Sequence, residues 1–340
     1  SGLSVSQASF TQQGQAAYGF LFSNTGGDSW FEFTRATRSF DGGGSAAQVS
    51  ALAVYDGTLY AGTDDSGQIY AYDGNSWSTA YDAASTGIRA LAVYRNELYV
   101  GGAGDGKIYS FDGGSWSVSS DTVLGAINSL VVFKDRLYVG TGDGAGQGDI
   151  LMFNASAWSV AYDGSQEAIN ALAAFNGRLY AGQGSDTGDG DILVYDGATW
   201  ATSYDGAEEA FLSLGIYNNR LYAGQGSGSG DGDILLTDGV TWSTSHDGAA
   251  GAVLALARFN GKLYAGQGSG AGQGDIAVFD GVAWKTIYDS PEEKIAALAA
   301  YGGKLYAGQG ADAGDGDVIG LTPINAALPS ASDNDTAART

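Results

Sequence analysis

Ala171-Leu-Ala-Ala-Phe175, Asn176-Gly177 and Arg178-Leu-Tyr-Ala-Gly-Gln183, followed by Gly184 to Gly190, Asp191-Ile-Leu-Val-Tyr195, Asp196-Gly197 and Thr199-Trp-Ala-Thr-Ser-Tyr204, decide the fold. A short apolar run reads as a strand buried on both faces, and Asn-Gly is a type I′ turn signal because both central residues tolerate φ > 0. The second strand ends in a glycine-rich loop, the third ends at a second tight turn, and the fourth carries a tryptophan. Four short strands per unit, with no stretch of helical period, is the pattern of a propeller blade.

The unit recurs along the chain. Leu-Tyr occurs at Leu59, Leu98, Leu137, Leu179, Leu221, Leu263 and Leu305, at spacings of 39, 39 and then 42 residues. Trp77, Trp116, Trp158, Trp200, Trp242 and Trp284 each precede the next Leu-Tyr by 21 residues. Self-similarity at this period predicts an all-β fold: a seven-bladed β-propeller of four-stranded antiparallel blades over residues 18–322. Polar extensions are expected at 1–17 and 323–340. The seventh unit places Ala326 where its tryptophan should be, and Trp30 lies upstream of the first unit. The N-terminal segment around Trp30 is therefore expected to supply the outer strand of the last blade, leaving no open sheet edge at the seam. The third strand of that blade is either Tyr18 to Phe22 or Gly316 to Gly320. On this reading the 56 glycines are mostly turn residues.

Composition removes several chemistries. There is no cysteine and one histidine, His246, so disulfides, thiol catalysis, cysteine-bound metal and poly-histidine centres are excluded. The 38 acidic and 15 basic residues leave a net charge of −23, which disfavours nucleic acid and anionic lipid. No apolar run reaches the roughly 18 residues of a membrane span. Ser1 to Ala16 has neither the basic nor the apolar region of an intact signal peptide.

Propeller topology sorts the loops. Arg95, Arg136, Arg178, Arg220, Lys262 and Lys304 fall at the first-to-second turns, beside Asp73, Asp112, Asp196, Asp238 and Asp280 at the third-to-fourth turns. The opposite face collects the glycine-rich loops and their acids. There, Gly188-Asp-Gly-Asp191, Gly230-Asp-Gly-Asp233 and Gly314-Asp-Gly-Asp317 offer the clustered oxygens that calcium takes. Asp186, Asp189, Asp191, Asp231, Asp233, Asp315 and Asp317 are the candidate donors. The competing role is acceptance of backbone N–H groups, and Gln68 and Lys107 break the pattern in the first two units. A second candidate set joins a planar amide, a carboxylate and an aromatic platform suited to a sugar ring: Gln183, Asp191 and Tyr204, with Gln225, Asp233, Gln267, Asp275 and Tyr288 as its repeats. The alternative is that Gln and Asp tie the loop and Tyr packs. The tryptophans read as blade packing. Carboxylates that belong to the repeat argue against an active site, which breaks a repeat with unique residues, and the unique candidates, His246 and Glu293, stand where other units carry ordinary residues.

Leu-Tyr-Ala-Gly, then Gly-Asp-Ile, then Tyr-Asp-Gly-x-x-Trp resembles the propeller repeats of bacterial and phage-encoded surface proteins and, more loosely, of tachylectin-type propeller lectins. Ser23-Asn-Thr-Gly-Gly-Asp-Ser-Trp30 resembles the Asp-box turn of sialidase-type propellers, with Thr25 in the place of an Asp; that turn joins third and fourth strands. Together with the near-identical units and polar ends, the resemblance implies a non-catalytic structural or adhesion component of an extracellular particle. A phage virion appendage contacting a host surface, joined to other chains through its termini, is the leading expectation. A secreted or surface multivalent lectin, with a cell-surface glycan as ligand, is the alternative, and a protein-docking scaffold the third.

Overall fold

Asn176 and Gly177 take φ of 49° and 72°, the left-handed pair that a two-residue hairpin of the right twist requires. In the computed structural model that hairpin joins Ile169–Phe175 to Arg178–Gln183, and Asp191–Tyr195 and Trp200–Asp205 complete a four-stranded antiparallel sheet. The structure describes residues 4–12, 15–23, 29–41, 48–64, 66–83, 87–121, 125–142, 148–164, 167–185, 190–206, 209–226, 232–248, 251–269, 274–290, 294–310 and 316–327, with backbone alone at 4–35, 290 and 323–327.

Six sheets follow this four-stranded plan, and the seventh has six strands. The first strands of the blades, Gln48–Tyr55, Ile88–Tyr94, Ile127–Phe133, Ile169–Phe175, Phe211–Tyr217, Val253–Phe259 and Ile295–Tyr301, pack on one another in an unbroken cycle around the axis. The chain is a closed seven-bladed β-propeller. Its core lies between blades: the described buried residues form seven clusters, each drawn from two neighbouring blades. Across the seam, Val49, Leu59 and Ala61 pack with Ala299, Tyr306 and Val318.

The glycine of Leu-Tyr-Ala-Gly is a contact residue rather than a turn residue. A Cβ at Gly182 would stand 2.8 Å from Phe211 Cβ, and one at Gly308 would stand 2.6 Å from the Val49 carbonyl oxygen. Gly62, Gly101, Gly140, Gly224 and Gly266 abut the next blade in the same way. Only a missing side chain lets neighbouring sheets approach this closely.

Hydroxyl clamps repeat the closure. Tyr55 donates to the Asn96 carbonyl at 2.9 Å, Tyr94 to Asp135 at 2.9 Å and Tyr217 to Gly261 at 3.0 Å, each one blade onward. Tyr301 donates to Gly57 at 2.9 Å and so joins blade seven to blade one.

The closing blade departs from expectation in register. Its third strand is Val318–Ala327 and its fourth is Ser29–Phe40. Elsewhere the residue across from the Leu of Leu-Tyr pairs with the tryptophan, as Leu179, Tyr195 and Trp200 do. Here the series is Leu305, Leu321 and Ala36, so Ala36 and not Trp30 holds the tryptophan position. The side chains agree. Trp242 and Trp284 donate through Nε1 to Ser203 and Ser245, three residues beyond the preceding blade's tryptophan, and Trp77 donates to Ser39, three beyond Ala36. Trp30 instead pairs with Ala327, six positions further out. The two strands thus run roughly 20 Å past the rim of third-to-fourth turns. Gln15–Ser23 and Ser4–Gln12 add to Ser29–Phe40 in antiparallel order, giving a projecting sheet with Ser4–Gln12 at its edge. Because the third strand comes from the C-terminal end, Tyr18–Phe22 lies outside the blade. The Ser23–Trp30 segment accordingly lies between two strands of the extension, Gln15–Ser23 and Ser29–Phe40, not between the third and fourth strands of a blade.

Candidate functional site

Every first strand carries a one-residue register shift near its start. Val49 pairs with Thr63 and Ala51 with Gly62, which leaves Ser50 unpaired. The same shift leaves Arg89, Asn128, Asn170, Leu212, Leu254 and Ala296 without a partner across the ladder. A β-bulge re-aims its extra side chain, and here all seven bulge residues line one cavity of about 330 Å³ at the mouth of the central channel, together with Gln48, Asp64 and Lys294. The mouth opens on the face of the glycine-rich loops, where first strands begin and second strands end.

This is where the repeat breaks. Aligned on the aliphatic or aromatic residue that opens the buried part of the strand, the bulge position reads Ser, Arg, Asn, Asn, Leu, Leu, Ala around the ring. Two positions earlier in space, Ala126, Ala168, Ala210 and Ala252 are replaced by Gln48 and Lys294, and Asp64 stands where later blades have Gly142, Gly184, Gly226, Gly268 and Gly310. The substitutions gather on blades seven, one and two. The rest of the mouth includes an apolar stretch on blades five and six, Leu212 and Leu254, and Ala296 lies beside Lys294 on blade seven; all three are only half-buried.

The polar arc is held from below. Arg89 Nε donates to Asp64 Oδ2 at 3.3 Å. The Asn128 and Asn170 amides donate to the Gly142 and Gly184 carbonyls at 2.5 and 2.7 Å, and the Ser50 hydroxyl donates to the Ile88 carbonyl. Arg89 uses one nitrogen in this way, and its terminal nitrogens and Lys294 Nζ have no ion-pair partner among the described residues. At the opposite end of the inner strands, Val54, Val93, Val132 and Ile216 are exposed apolar residues.

The residues singled out in the sequence lie elsewhere, and largely in packing. Gln183, Gln225 and Gln267 are 6%, 2% and 2% exposed, and the Gln225 amide donates to the Glu209 carbonyl at 3.1 Å. Tyr204 and Tyr288 are half-buried in interblade clusters, Tyr204 edge-on to Phe211 at 5.6 Å. They present no open platform. Asp191 and Asp233 accept the Gly206 and Gly248 N–H groups at 3.3 and 3.0 Å, and Asp149 accepts that of Gly164 at 3.1 Å. Asp317 is ion-paired with Arg38 at 2.7 Å across the closing blade. Asp275 has no such bond among the described residues; burial first, and then repulsion from Asp289, pushes its carboxyl up to about 6. Of the calcium candidates, Asp186, Asp189, Asp231 and Asp315 lie outside the described residues. Among the described residues no three carboxylate or histidine groups cluster as metal donors. His246 is half-buried 5.8 Å from Trp284, and burial pushes its imidazole below the usual range; Glu293 lies outside the described residues.

The tryptophans pack as read from the sequence. Trp200 stacks on Tyr195 at 5.0 Å and 22°, and donates to the Ala161 carbonyl at 3.1 Å. At the opposite rim the turn aspartates are engaged locally: Asp196 Oδ1 accepts the Ala198 and Thr199 N–H groups, and Asp73, Asp112, Asp238 and Asp280 do the same in their turns. Arg95 pairs with Asp135.

No family model matches this chain, and no curated protein matches it. Solved structures match its fold. A computationally designed protein, Ika8, is similar at 18% identity and a TM-score of 0.57, over 85% of this chain and 100% of that one. The structure of YCF48 bound to D1 peptide is similar at 13% identity and a TM-score of 0.62, over 87% of this chain and 97% of that one. Both are propeller proteins, and the likeness is one of fold.

Proposed function

We propose that this chain is a non-catalytic docking scaffold whose channel mouth engages a segment of a partner protein. The observation that carries the reading is the convergence of repeat-breaking residues on the mouth. A repeat evolving for packing alone has no reason to place Arg89, Lys294, Gln48 and Asp64 around one cavity while the surrounding strands stay nearly uniform. The propeller fold fits a protein-binding or docking scaffold, and the similar YCF48 structure has a peptide bound. The role as component of an extracellular particle is the finer form of the same proposal. It draws on the projecting sheet, whose edge strand Ser4–Gln12 has no charged residue and is an open template for another chain.

Panning random peptides, displayed both with free C-termini and internally, against the full chain tests the docking reading. Enriched peptides should lose binding to Lys294→Ala or Arg89→Asn and keep binding to Lys304→Ala, which lies on the other face. No enrichment, or enrichment indifferent to the mouth substitutions, overturns it.

A further inference from the structure

The mouth combines two features that select a ligand chemistry. Arg89 and Lys294 are cationic groups in a chain with 15 basic residues against 38 acidic ones, and both line a cavity that Leu212 and Leu254, on blades five and six, also line. Among the described residues the one carboxylate lining it, Asp64, is engaged by Arg89 Nε at 3.3 Å. A guanidinium that donates to one carboxylate through Nε still offers its terminal nitrogens to a second, in the planar geometry that favours carboxylates over other acceptors. Lys294 adds an ammonium from two blades away, on the other side of Gln48. At about 330 Å³ the cavity is at the small end of ligand sites, sized for one or two amino-acid residues. Charges beyond a Debye length of roughly 8 Å are largely screened at physiological salt, so the net negative charge of the chain does not by itself keep an anion from the mouth.

We propose, building on the docking reading, that the mouth binds a deprotonated carboxylate bearing a short apolar group. The carboxylate lies between Arg89 and Lys294, and the apolar group lies on Leu212 and Leu254. Two sources carry this chemistry: the C-terminus of a polypeptide ending in an apolar residue, and a free short-chain carboxylic acid.

The repeat itself supplies gentle variants for the test. Lys294→Ala installs the residue of four other blades, and Arg89→Asn that of two, so both are expected to fold with unchanged melting. Calorimetric titration of the full chain at physiological ionic strength uses hexanoate against hexanamide, and N-acetyl-Gly-Leu against its C-terminal amide. The acids are expected to bind about tenfold or more tightly than the amides, and each substitution to weaken the acids about fivefold or more, the loss of one charge-assisted contact. Binding by Leu254→Asn should fall for both acids. A dipeptide tighter than hexanoate identifies a chain terminus as the source; the reverse order identifies a free acid. Equal binding of acid and amide, no binding of either acid, or indifference to both substitutions overturns the proposal. Mouth-dependent peptides from the display experiment that survive C-terminal amidation would sink the carboxylate while leaving the docking site standing.

Discussion

Asp275→Asn should stabilise the protein at neutral pH and do little in acid. In three other blades the equivalent carboxylate accepts a glycine N–H, but blade six has Asp289-Ser290 where those blades have Asp-Gly. Among the described residues Asp275 has no such bond, and it sits across the ladder from Asp289. Its carboxyl titrates near 6 instead of the ordinary 3.8. The folded chain therefore keeps a proton that the unfolded chain loses between about pH 4 and pH 6. Stability falls as pH rises through that window and stays lower above it. A displacement of about two pK units corresponds to about 3 kcal/mol at most. Solvent reaching this partly buried group reduces the expected gain for the isosteric amide to about 1–2 kcal/mol, or roughly 2–6 °C in Tm. Thermal melts of both proteins from about pH 4 to pH 8 read the difference directly. A difference that is flat with pH, or that grows towards acid, would refute the reasoning.

Two further substitutions separate packing from closure. Trp200→Ala removes a stacked ring and an interblade hydrogen bond and should cost about 2–4 kcal/mol, whereas Trp30→Ala, outside the blade, should leave the propeller's melting within about 0.5 kcal/mol. Chemical denaturation of the pair checks this; equal losses would mean that Trp30 belongs to the blade. Gly182→Ala drives a methyl against Phe211 and should cost about 1–3 kcal/mol, while Gly177→Ala meets open space and strains only its positive φ, at about 1 kcal/mol. A Gly182→Ala variant as stable as the parent would contradict the interblade role of that glycine.

Blade number, strand order and the sorting of loops into two faces were legible because tight turns and buried strands leave local signals. The unit Ala168 to Gly206 carries all of them. Three things were not legible locally. The role of Gly182 depends on a neighbouring blade, and the closing register depends on pairing between residues almost three hundred apart, so Trp30 pointed to the strand that closes the last blade but not to its register. The mouth was missed because a bulge is a property of pairing, not composition. Its signal was nonetheless in the chain: one position, beside Ile88, Ile127, Ile169 and Phe211, varies from Arg to Asn to Leu while its neighbours barely change.

The closed ring underlies both the mouth and the projecting sheet, and its register can be read with engineered cysteines in a chain that has none. Thr37 and Gly320 are partners across the closing ladder, and a Cβ on Gly320 would stand 3.7 Å from Thr37 Oγ1. Thr37→Cys with Gly320→Cys should therefore form a disulfide under mild oxidation. Phe31→Cys with Gly320→Cys, the pair that would meet if Trp30 filled the tryptophan position, should stay reduced. Cross-linking of the second pair and not the first would contradict the closure described here.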